Sequence, residues 1–217
     1  MIFDNLKKRF LTSSILLIIT IFIFINNFFL VFLLLLLGMI SILEFSNITK
    51  KIFKNKTYYG LINIFFVIYI FFFCVLFFIF SNALLLKIIL ISILLGCIAS
   101  DIGGFIFGKI IGGPKLNKIS PNKTISGSIG SLLFTILSIS YLIHYFTNIH
   151  NYKIILIASI TSITCQLGDL FFSYLKRKAK VKDTGNFLPG HGGVLDRIDG
   201  ILVGTPFGII SLLLFFQ

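Results

Sequence analysis

The chain is poor in charge and has few acidic side chains. Only 12% of its 217 residues are Asp, Glu, Lys or Arg, and seven of them are acidic. A soluble domain carries about 25% charged residues, so the composition excludes a water-exposed globule. Cysteine is scarce too. Cys74, Cys97 and Cys165 all sit in apolar runs, with no CxxC pair and no histidine partner nearby. That placement argues against a disulfide framework or a thiolate metal site and leaves them as packing residues. No signal-peptide cleavage site is visible, so the first apolar segment is read as retained. There is no internal repeat, no linker and no soluble domain.

What fills the chain is apolar sequence: 57% of residues are hydrophobic, and mean hydropathy is +1.06. Runs of roughly 20 apolar residues are the length a bilayer core demands, which makes this a polytopic membrane protein of the all-α class. About seven spans are expected, near 10–25, 28–45, 58–80, 83–108, 126–147, 153–175 and 199–216. Residues 10–45 are interrupted only by Asn26-Asn27. A single helix over that stretch would be about 54 Å long against a hydrocarbon core of about 30 Å, so two short helices turning at the asparagines fit better.

Charge tests the count. With seven spans and a cytoplasmic N-terminus, every basic residue except Lys87 and Lys153 faces the cytoplasm. A single span over 10–45 would set Lys7, Lys8 and Arg9 against the rest, so the positive-inside rule favours seven. The net charge of +12 lies in short loops, where it sets topology and attracts anionic headgroups or phosphates. Nucleic-acid binding is rejected on that ground. Two long polar segments, about 109–125 and 176–198, then share the cytoplasmic face.

Five of the seven acids lie beyond residue 100: Asp101, Asp169, Asp183, Asp196 and Asp199. Asp101 and Asp169 fall within or near the ends of expected spans, where an ionisable side chain is costly and points to function. The plainer reading is a carboxylate paired with a nearby lysine. Gly168 leaves room beside Asp169 for a ligand or a backbone. Asp196 and Asp199, three apart, share a face if that stretch is helical. They are either surface acids stabilised by a helix dipole or, converging with Asp169, hard oxygen ligands suited to Mg²⁺. Lys176, Arg177, Lys182 and Lys123 lie alongside, and SPNKTISGS at 120–128 offers hydroxyls, a lysine and a glycine as a phosphate cradle without being a Walker A loop. Carboxylates for a metal plus cations for phosphates point to phosphoryl or nucleotidyl transfer to a lipid.

The stretch "SYLKRKAKVKDTGNFLPGHGGVLDRID", 173–199, closely resembles the signature of phosphatidate cytidylyltransferases, S-x-x-K-R-x4-K-D-x-G-x2-L-P-G-H-G-G-x-x-D-R-x-D. "SDIGGFIFGKIIGGPKLNKISPNKT", 100–124, and "LGDLFFSYLKR", 167–177, are similar to two further segments of that family, and Glu44-Phe45 fits weakly. The chain departs from the family pattern at Ser126, where Glu is usual, at Ser131, where Gly is usual, and at Gly104, where Ala is usual.

The resemblance implies an enzyme that joins phosphatidic acid to CTP, giving CDP-diacylglycerol and pyrophosphate. It implies Mg²⁺, with K⁺ as a candidate companion. Asp169, Asp196 and Asp199 would hold metal, and Asp101 would orient a cation or a neighbouring group. Lys176, Arg177, Lys182 and Arg197 would steady phosphates. Ser120, Lys123 and Thr124 would contact nucleotide or phosphate, with Asp183, His191 and Gly192 completing the binding set. His191 is read either as a loop organiser or as a substrate contact, not as a general base. Residues 1–96 would supply N-terminal helices and 97–217 the catalytic region of one continuous membrane domain. The expected location is the cell inner (plasma) membrane with the site on the cytoplasmic side, and a homodimer is a family-level expectation. A CTP-dependent polyisoprenol kinase, a small transporter and a scaffold without turnover are the competing readings.

Overall fold

The computed structural model describes residues 27–117, 120, 121, 123–185, 187 and 192–216, with 27 and 28 described by backbone only. Six helices carry them: α1 (Asn27–Ile52), α2 (Lys56–Ser81), α3 (Leu84–Ile110), α4 (Ile125–Thr147), α5 (Lys153–Lys178) and α6 (Leu195–Phe215). All six are long and apolar enough to cross a membrane, so the chain is a multi-pass membrane protein. The span expected at about 10–25 lies outside the described residues. Among the described residues no strand forms; Lys115 and Thr124 make one isolated bridge.

Lipid offers no hydrogen bonds, so a spanning segment must satisfy its backbone internally, and a helix does. Hydroxyls inside these helices are satisfied the same way. Ser41 donates to the carbonyl of Leu37, Thr135 to Ser131, Thr161 to Ile157 and Thr164 to Ile160. Two boundaries differ from expectation. The first described helix runs on to Ile52 rather than ending near 45, and the last begins at Leu195 rather than near 199. In both places polar residues extend a helix past the point where its apolar run stops, and hydropathy alone does not see them.

The described residues form two compact units, those up to Ile79 with those from Leu175 to Ile198, and those from Phe80 to Tyr174 with those from Asp199 onward. In the first unit α1 and α2 pack through stacked Phe45 and Phe66, with ring centroids 3.9 Å apart. Ser46 and Tyr59 share a hydrogen bond of 2.6 Å, and Asn63 Nδ2 donates to Thr49 Oγ1 at 3.1 Å. Lys178 lies over the Phe53 ring.

In the second unit small residues let helices approach closely, the usual device where lipid supplies no hydrophobic drive. A Cβ added at Gly103 would meet the Gly130 carbonyl at 2.5 Å, and one at Gly130 would meet Phe107. Gly200, Gly204 and Gly208 recur every fourth residue along α6, and added Cβ atoms there would meet Asp169, Cys165 and Thr161 of α5. Ile139, Ile143, Ile154 and Ala158 form a buried cluster between α4 and α5. Lys153 Nζ donates to the carbonyl of Phe215 at 2.6 Å, satisfying one of the orphan acceptors at the end of α6.

Candidate active site

In the second unit the site is built where the α3–α4 connection turns into α4. Gly112 and Gly113 take positive φ (63° and 106°), which bends the chain back on itself. The turn closes with Leu116 N donating to the Lys123 carbonyl at 2.8 Å and Ile125 N donating to that of Pro114 at 3.1 Å. Thr124 caps α4, its hydroxyl accepting from Gly127 N at 3.1 Å. Ser126, the position where the family pattern has Glu, donates to the Gly112 carbonyl and so ties the glycine turn to the helix. Ser120 N donates to Asn117 Oδ1 at 2.9 Å.

This folding brings Lys123 to Asp169. Their ion pair measures 2.9 Å, with side chains 33% and 18% exposed. The pair borders a pocket of about 160 Å³ that is also lined by Asp101, Thr124, Ser128 and Gln166. Ser128 and Gln166 hold each other, the hydroxyl donating to Oε1 at 2.5 Å and Nε2 donating to the Ser128 carbonyl at 3.3 Å. Clefts for drug-sized ligands start at roughly 300 Å³, so this pocket is sized for part of a nucleotide, such as a phosphate and its counter-ion. Asp199 belongs to this unit as well. Its carbonyl faces the bare Cα of Gly168, and its carboxylate accepts from Gly200 N at 2.9 Å.

In the first unit the site is the segment between α5 and α6. Asp196, in the first turn of α6, gathers three donations and shares the Thr184 hydroxyl with Glu44. Lys176 Nζ reaches Oδ1 at 2.7 Å. Oδ2 accepts from Thr184 N at 2.7 Å, Thr184 Oγ1 at 3.0 Å and Gly193 N at 3.1 Å. The Lys176–Asp196 pair is well covered, with side chains 15% and 9% exposed. Gly192 takes a φ of 85°, in the left-handed region that suits glycine. Arg177, Lys182, Asp183 and Arg197 are exposed, and His191 lies outside the described residues.

One acid carries more of this segment than its sequence neighbourhood indicates. Glu44 of α1 is only 5% exposed. It accepts from Val194 N at 3.0 Å, Leu195 N at 2.9 Å and Thr184 Oγ1 at 2.7 Å. The two amides open α6, where unpaired N–H groups and the helix dipole favour negative charge. Its sequence signals were a lone acid in an apolar run and the weak fit of Glu44-Phe45 to the family pattern. Gln166 carried a weaker one, as a polar residue inside an apolar segment, whereas Ser128 belongs to the hydroxyl-bearing stretch 120–128.

Among the described residues no group of three His, Cys, Asp or Glu side chains is placed to hold a metal ion. Mg²⁺ does not need one, since it is commonly bound through one or two carboxylates plus substrate phosphates and water. The oxygen donors around the pocket, Asp101, Asp169, Thr124, Ser128 and Gln166, are of the hard class that suits it. At Asp196 the fit is poorer, because protein donors already engage both oxygens.

Residues 8–215 match the family model described as "Cytidylyltransferase family". The chain belongs to the cytidylyltransferase family. Several relatives bear the name phosphatidate cytidylyltransferase. One from Rickettsia bellii is 47% identical over 116 residues, covering 49% of this chain and 49% of the relative. One from Helicobacter pylori is 39% identical over 129 residues, covering 59% of this chain and 48% of the relative. One from Synechocystis sp. is 44% identical over 124 residues, covering 54% and 41%. The chain thus spans about half the length, 41% to 49%, of these curated relatives.

Proposed function

We propose that this cytidylyltransferase-family chain transfers a cytidylyl group from CTP to phosphatidic acid, with CDP-diacylglycerol and pyrophosphate as products. The observation that carries the reading is the Lys123–Asp169 pair bordering a pocket to which Asp101, Thr124, Ser128 and Gln166 also contribute polar side chains. A cation of the kind that binds phosphate thus lies beside a carboxylate of the kind that binds metal, which supports the reading. The names of the relatives support the choice of substrates.

In the reaction an oxygen of the lipid phosphate attacks the α-phosphorus of CTP. The bond from that phosphorus to the β-phosphate bridging oxygen breaks, and pyrophosphate leaves. The lipid phosphate is already anionic near neutral pH, so no side chain has to remove a proton from it. Lys123 binds and orients a phosphate. Asp101 and Asp169 are the proposed Mg²⁺ ligands, with Asp199 a further candidate and K⁺ a candidate companion ion. Mg²⁺, when bound, neutralises charge developing on the transferring phosphates. Thr124 and Ser128 offer hydroxyls to the same group. Lys176, steadied by Asp196, and the exposed Arg177, Lys182 and Arg197 bind phosphate from the signature segment. The proposed setting is the bacterial inner membrane, with the basic segments and the site on the cytoplasmic side.

The test uses the protein in membranes with phosphatidic acid, Mg²⁺ and CTP labelled at either the α- or the γ-phosphate. Transfer of the α-label alone into the organic phase, lost on chelation, is the expected result. Transfer of the γ-label alone would make the protein a lipid kinase.

A further inference from the structure

We infer that Glu44 is a positioning residue: its buried carboxylate docks the signature segment and fixes the start of α6, which sets the Lys176–Asp196 pair in place. In the sequence Glu44 is marked only by the weak fit of Glu44-Phe45 to the family pattern, which assigns it no role. A carboxylate in an apolar helix is costly unless its oxygens are filled by donors. Here they are, by Val194 N, Leu195 N and Thr184 Oγ1.

The segment is shaped to admit that carboxylate. A Cβ at Gly185 would lie 2.5 Å from Glu44 Oε1, and one at Gly193 would lie 2.5 Å from Glu44 Oε2. Two glycines of the signature are thereby explained as clearance for a side chain that lies 150 residues away from Val194 along the chain. Thr184 forms the link onward. Its hydroxyl is within hydrogen-bond distance of both Glu44 Oε2 (2.7 Å) and Asp196 Oδ2 (3.0 Å). It has one proton and serves one carboxylate at a time, while its backbone N–H donates to Asp196 at 2.7 Å. Glu44 touches no reacting atom in this arrangement. It acts through Thr184 and the first amides of α6, on which the placement of Asp196 depends.

The consequence for turnover rests on the proposed cytidylyl transfer, whereas the docking itself does not. The experiment therefore has two readouts, made on the full chain in lipid nanodiscs. Hydrogen exchange is followed by mass spectrometry over peptides covering 183–197, and label transfer from α-labelled CTP is followed in parallel. In Glu44→Ala, exchange over 183–197 is expected to speed up about tenfold or more, the scale of a lost hydrogen bond to a charged group. Peptides from α4 should keep their wild-type exchange. The kcat should fall about 100-fold, as misplacement of reacting groups by about 1 Å does, with a smaller change in KM for CTP. Glu44→Gln keeps the shape and can keep two of the three contacts, so it should recover a large part of both.

Wild-type exchange over 183–197 in Glu44→Ala would overturn the inference, whether or not transfer falls. Equal loss in the Gln and Ala variants, with α4 also exposed, would reduce Glu44 to a general folding requirement and overturn it too. If the wild-type protein transfers no label, the proposed function fails and the exchange readout alone decides the docking.

Discussion

Neutralising Asp196 tests how the signature segment is held. Asp196→Asn removes the carboxylate charge 2.7 Å from Lys176 Nζ, on a side chain only 15% exposed, and weakens the acceptor shared by Thr184 and Gly193. Removing one partner of a buried ion pair destabilises by about 3–5 kcal/mol, and the 9% exposure of Asp196 puts this pair near that regime. A loss of about 3 kcal/mol is therefore expected. The double variant Lys176→Met/Asp196→Asn removes both charges and should regain most of it, because replacing both partners is close to neutral. Cytidylyl transfer should stay lost in both variants. The assay is denaturant unfolding of the three variants and wild type in mixed micelles, read as a double-mutant cycle. A coupling between the two positions below about 0.5 kcal/mol, the level seen for independent sites, would refute the reasoning.

Lys123→Met leaves Asp169, at 18% exposure, facing the pocket without its ion-pair partner; transfer should fall by at least about 100-fold, read as kcat/KM for CTP. Gly193→Ala drives a methyl group into Thr184 Oγ1 and to within 2.8 Å of Gly185 N, so unfolding experiments should show a loss of about 1–3 kcal/mol. Ser126→Ala removes the donor to the Gly112 carbonyl and should cost about 1 kcal/mol of stability by the same measurement. Activity in that last variant should persist, because Ser126 holds the glycine turn and does not line the pocket.

The spans were legible because a bilayer core imposes a length on apolar runs, and α2 to α5 fall where hydropathy puts them. The ends were less legible. Residues 46–52 of α1 are held by side-chain contacts such as Ser46 to Tyr59 and Asn63 to Thr49, which leave no hydropathy signal. The carboxylates stood out as acids in a chain with few of them. Their partners did not, because Lys123 and Asp169 lie 46 positions apart and no local spacing links them. Asp196 was read as a metal ligand from its carboxylate chemistry, its spacing to Asp199 and the family resemblance. The structure shows its oxygens engaged by Lys176, Thr184 and Gly193, which only the fold of the intervening segment brings together. Glu44 was visible as an isolated acid, yet its donors are mainly backbone amides, which the sequence does not distinguish. The spacing of four between Gly200, Gly204 and Gly208 drew no reading from the sequence, and only the approach of α5 shows it to be a helix-packing face.

The claim on which the functional account turns is that the cytidylyl group itself reaches the lipid. The direct measurement is mass spectrometry of the organic phase after the purified protein is incubated with CTP, phosphatidic acid and Mg²⁺, with pyrophosphate counted in the aqueous phase. The account predicts a lipid heavier by one cytidylyl group and one pyrophosphate for each lipid converted. A lipid heavier by only a phosphate, or an unchanged lipid in the presence of well-folded protein, would contradict it.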